Sequence, residues 1–64
     1  MPSYRLYRVG PKERLMPAEP LPGEDDAAAA AAAGQRLHAG EAGELWDGGR
    51  LVGRFSKLGV FTRA

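Results

Sequence analysis

Apolar and polar residues alternate along SYRLYRV, residues 3–9, and its two Tyr and one Val suit a pleated surface. This predicts a first strand, closed by Gly10-Pro11. Tyr4, Leu6 and Arg8 share one face and Arg5, Tyr7 and Val9 the other, so neither face is wholly apolar. Residues 10–23 then hold four of the five Pro. Each Pro lacks an N–H and fixes its own φ, which argues against a long strand. A short edge strand at Lys12–Met16, antiparallel to the first, is the most this stretch predicts; the remainder, PAEPLPG, reads as a stiff connector.

Residues 25–39 form the single helical segment. Asp25 suits the N-cap, and Asp26 meets the positive end of the helix dipole. Seven consecutive Ala, 27–33, are the strongest helix formers there are. Gly40 fits a left-handed residue just past the end, with His38 in the last turn. Ala30, Ala33 and Leu37 fall on one stripe, with Ala29 and Asp26 at its edge. Such a stripe buries little area but lets the backbone approach a sheet closely. Gly34 costs about 1 kcal/mol against Ala in mid-helix, which close approach would offset.

The sharpest local pattern is GELWDGGRLVGRFSK, residues 43–57, a hairpin turning at Asp47-Gly48-Gly49. A two-residue loop pairs Asp47 with Arg50 and sets Trp46 beside Leu51. A three-residue loop, with Gly49 left-handed, pairs Trp46 with Arg50 and Leu45 with Leu51. The second is expected, because it gathers Leu45, Leu51 and Phe55 on the core face. It leaves Glu44, Trp46, Arg50, Val52 and Arg54 outside, where Arg50 stacks on Trp46. Gly59 ends the last strand, and 58–64 is a tail whose Val60 and Phe61 dock on the domain or on a neighbour. The expected fold is α+β: one small domain over 1–64, a two-layer ββαββ-type antiparallel sheet with one helix on one face. Its core would be Leu6, Leu15, Leu37, Leu45, Leu51, Phe55 and the Ala stripe.

Composition sharpens this picture. Ala makes up 11 of the 64 residues, and Leu, Ile, Val and Phe together only 12. That is about a fifth, the edge of the range in which chains fold unaided. A thin core predicts a domain that gains from a partner or from self-association. The absence of Cys excludes disulfides, thiol nucleophiles and thiolate metal sites. No apolar run reaches membrane-spanning length, and no basic patch precedes an apolar core at the N-terminus, so the expected location is the cytoplasm. The net charge of +1 conceals basic ends and an acidic middle. Were the two ends to lie side by side in the sheet, they would form one basic surface.

Candidate chemistry is sparse. His38 is the only His, and Glu24, Asp25 and Asp26 are consecutive acids that capping explains, so neither a metal site nor an acid/base pair is expected. No phosphate-loop pattern occurs among the Gly residues. Pro2 supports one enzymatic alternative. With Met1 removed it would carry a free secondary amine, and Arg5 or Arg36 could hold an anion. This resembles the small tautomerases, which use an N-terminal Pro as base; Ser3 after Pro2 and the Pro-rich insert depart from their pattern.

The frame MPSYRLY, an acidic pair running into DDAAA, and GELWDGGRLVGRF resemble short uncharacterised alphaproteobacterial proteins with a YRLY…DDAAA…ELWxGxRLV pattern. That resemblance implies the α+β fold and no chemistry. The functional expectation is a non-enzymatic protein-interaction module without cofactor, acting as a homodimer. Its site would be Trp46, Arg50, Val52 and Arg54 on the outer hairpin face, with Arg5 and Tyr7 beside them. Aromatic rings interleaved with Arg also fit an alternative, a face for single-stranded nucleic acid.

Overall fold

A computed structural model describes residues 3–10 and 17–64. It contains strand β1 (Tyr4–Val9), β2 (Glu19–Pro20), helix α1 (Asp26–Arg36), β3 (Ala42–Asp47), β4 (Arg50–Phe55) and β5 (Phe61–Arg63). The strands form one antiparallel sheet in the order β2-β1-β3-β4-β5, and α1 covers one face. The α+β two-layer expectation therefore holds, with a fifth strand added. The strand expected at Lys12–Met16, and Leu15 with it, lie outside the described residues. Beside β1 the structure places Glu19 and Pro20, from the segment read as a connector. No helix among the described residues is long and apolar enough to cross a membrane.

The core is thin and sits between helix and sheet. Tyr4, Leu6, Leu21, Ala29, Ala33, Leu45, Val52 and Phe55 are buried, and Leu6 and Leu45, which face each other across β1 and β3, are sealed completely. Ala29 and Ala33 form the floor of the helix stripe, with Ala30, Ala32 and Leu37 partly buried beside them. Asp25 caps the helix as expected, accepting the Ala28 N–H at 2.8 Å.

The helix ends three residues earlier than expected. Leu37 turns extended and packs toward the core, while the Arg36 carbonyl accepts from the Arg8 guanidinium at 3.0 Å. Arg36, not His38, is the basic residue of the last turn. Gly40 (φ 85) serves instead in a turn closed by the Glu41 N–H donating to the His38 carbonyl.

The hairpin takes the register that was not expected. Asp47 pairs with Arg50 and Trp46 with Leu51, across a loop of Gly48 and Gly49 in which Gly48 is the left-handed residue (φ 57). The register then shifts by one between Leu45 and Trp46, so that Leu45 faces Gly53. This bulge resets the alternation of β4. Val52, expected outside, is buried in the core, and Leu51, expected in the core, lies opposite Trp46 on the outer face. The tail docks on its own domain. Phe61 sits on Phe55 with ring centroids 4.8 Å apart. It also lies over Gly53, where a Cβ would come within 2.5 Å of its ring. Gly53 is Gly because β5 and Phe61 occupy the space of a side chain.

Candidate functional site

The face of the sheet away from α1 has no covering layer among the described residues. Period-two alternation puts Arg5, Tyr7 and Val9 of β1 there, with Ala42, Glu44 and Trp46 of β3, and Leu51 and Arg54 of β4. Four of the six expected site residues, Arg5, Tyr7, Trp46 and Arg54, thus come together. Arg5 lies directly across from Trp46, and Tyr7 from Glu44. The Tyr7 and Trp46 rings stand at 76° with centroids 6.5 Å apart, an edge-to-face arrangement. Together with Glu44, Gly48 and Gly49 they line a groove of about 340 Å³.

Glu44 organises this face, and the sequence reading assigned it no role. One carboxylate oxygen accepts the Trp46 indole N–H at 3.1 Å, and the other accepts the Arg54 Nε–H at 3.2 Å. The signal was present in E-L-W, since alternation alone sets Glu44 and Trp46 on one face two residues apart.

Two expected site residues belong elsewhere. Val52 is part of the core, because the two-residue loop turns it to the helix side. Arg50 pairs with Asp47 on the helix side, and so cannot stack on Trp46. Its guanidinium grips both oxygens of Asp26, at 2.9 and 3.1 Å, and donates to Asp47 at 3.0 Å. The Tyr4 hydroxyl donates to the same Asp26 at 2.7 Å. Hydrogen bonds from Arg50 and then Tyr4 hold the Asp26 carboxyl down at about 2. The hydrogen bond to Asp26 pushes the Tyr4 phenol up to about 12. Asp47, which accepts the Ser3 N–H at 2.9 Å and a bond from Arg50, is lowered too. This cluster ties the helix start to the hairpin and the first strand.

A second cluster ties down the helix end. Glu19 holds Arg8 at 2.7 Å and also holds Arg36. Those bonds, the one from Arg36 foremost, lower its carboxyl. Arg36, offered above as an anion holder, is engaged there, and Pro2 lies outside the described residues. Among the described residues no three His, Cys, Asp or Glu side chains converge as metal ligands do.

Among the described residues the two basic ends do not merge into one basic surface. Strands β1 and β4 are separated by acidic β3, and Arg8, Arg50 and Arg54 are drawn to Glu44, Asp47 and the acids around the helix. Compared with family models, with curated proteins and with solved structures, the chain matches none.

Proposed function

We propose that the protein is a small interaction module that pairs with a second copy of itself through the open face of its sheet. The observation that carries this reading is the state of the polar groups there: Glu44 takes both the Trp46 N–H and Arg54 within the chain. Covering the Tyr7–Trp46 pair therefore strands neither the indole donor nor the carboxylate, and burial of those rings is favourable. The sheet edges are poor alternatives, since β2 has two residues, one of them Pro20, and β5 has three.

The face supports a modest interface. Three six-residue strands with the short β2 and β5, about 4.8 Å apart, span on the order of 350 Å² per copy, the size of a weak, transient contact. The pair is then expected to dissociate on dilution. Single-stranded nucleic acid is the weaker reading, because its phosphates would meet Glu44 at the centre of the face and compete with it for Arg54.

Sedimentation of untagged protein over a range of concentrations tests this. A mass rising to twice 6.8 kDa is expected, and the double variant Trp46→Ala with Arg54→Glu should remain folded and monomeric. A wild-type chain that stays at one copy, or a double variant that still dimerises, would overturn the reading. Binding to single-stranded RNA that weakens steeply with salt would transfer the face to nucleic acid.

A further inference from the structure

The groove between Tyr7 and Trp46 has the parts of a cation site. Its two rings stand at 76° with centroids 6.5 Å apart, so they form adjoining walls of the groove, and a cation seated over an open ring face lies within cation–π range. Glu44 supplies the counter-charge at the same groove. A carboxylate offers about four acceptor positions, and the Trp46 and Arg54 contacts use two. At Gly48 and Gly49 a side chain would meet nothing within 4 Å, so the approach is open. Two aromatic walls, an acid and an open entry select a cation on an apolar stem.

We propose that this groove binds the guanidinium of Arg5 from a second copy of the chain, an assignment that rests on the self-association reading above. Arg5 is exposed on the same face, and its guanidinium makes no hydrogen bond or ion pair with any described residue. It sits beside the groove, directly across from Trp46 and two residues before Tyr7 on the same strand. In a two-fold contact each surface patch meets its own image, so a donor beside its acceptor on one face is satisfied twice at once. Arg5 enters the partner's groove while the partner's Arg5 enters this one. The planar guanidinium both stacks on an aromatic face and donates in a fork to a carboxylate, which a lysine does less well.

Trp46 is the only Trp, so fluorescence excited beyond the Tyr absorption band reports on the groove. Dimer dissociation constants from sedimentation are compared for wild type, Arg5→Ala, Arg5→Lys and Tyr7→Leu, with Trp46 emission followed on dilution. Arg5→Ala and Tyr7→Leu are expected to weaken the dimer at least tenfold, and Arg5→Lys less. In Arg5→Ala, added N-acetylarginine amide should change Trp46 emission where its uncharged citrulline counterpart does not. A wild-type dimer whose constant is unmoved by Arg5→Ala overturns this assignment and leaves self-association standing. Equal responses to the arginine and citrulline amides overturn the cation site itself. A wild-type chain that never dimerises fails the reading underneath and removes this occupant with it.

Discussion

Single residues carry two separable effects in this domain. Gly34 stands in mid-helix, yet a Cβ there would meet only Phe55 Cε1 at 3.7 Å, an ordinary contact. Close approach therefore does not require Gly at this position, and Gly34→Ala should raise stability by about 0.5–1 kcal/mol, read from denaturant midpoints at unchanged m. Asp26 carries the other effect. Its folded-state carboxyl is depressed to about 2, so its contribution is complete above the ordinary carboxylate value and is lost as pH falls from about 4 toward 2. Tyr4 is raised to about 12, so its contribution is complete below the ordinary phenol value and is lost as pH rises from about 10 toward 12. Thermal melts across pH should thus decline at both ends. Asp26→Asn should flatten the acid limb, and Tyr4→Phe the alkaline one; unchanged limbs would show that the cluster adds nothing to folding.

At the scale of elements, the bulge in β4 decides which side of the sheet each residue faces. Val52→Ala should cost roughly 1–3 kcal/mol of stability, whereas Leu51→Ala should leave stability nearly unchanged and act on self-association instead. Gly53→Ala should cost a similar 1–3 kcal/mol by forcing Phe61 and β5 off the sheet, visible as fast amide exchange in 61–63. These positions also mark where the sequence was legible and where it was not. The first strand, the Asp25 cap, the hairpin and the α+β class follow from local chemistry: alternation, a capping side chain, two Gly between apolar runs. The register did not follow, because period-two reasoning assumes unbroken alternation and an inserted residue reverses every later side chain. The two-residue loop turns Arg50 and Val52 to the helix side, and the bulge then returns Arg54 to the outer face and Phe55 to the core, so unbroken alternation misplaced the first two. Phe61 was read as tail because its partner is a missing side chain, Gly53, and an absence of volume has no sequence pattern of its own.

Across the whole molecule, charge is arranged by strand order. Basic β1 and basic β4 flank acidic β3, so Arg8, Arg50 and Arg54 each lie beside an acid, and the two faces divide the pairs between them. The helix-side pairs bind layer to layer; the outer pair, Arg54 with Glu44, leaves the aromatic rings as the feature a partner meets. The same strand order has a consequence in time. The hairpin of β3 and β4, with β5 after it, closes by short connections, whereas β1 pairs with β3 across most of the chain, Tyr4 against Asp47. Joining ends that far apart in sequence is slow compared with closing a two-residue turn. During synthesis, β1 leaves the ribosome well before β3 exists, and until then it has only the two-residue β2 to pair with. Until then β3 carries a bare six-residue edge, the longest this sheet ever shows. When β1 docks it covers that edge, and it brings the short, Pro-containing β2 with it as the new one.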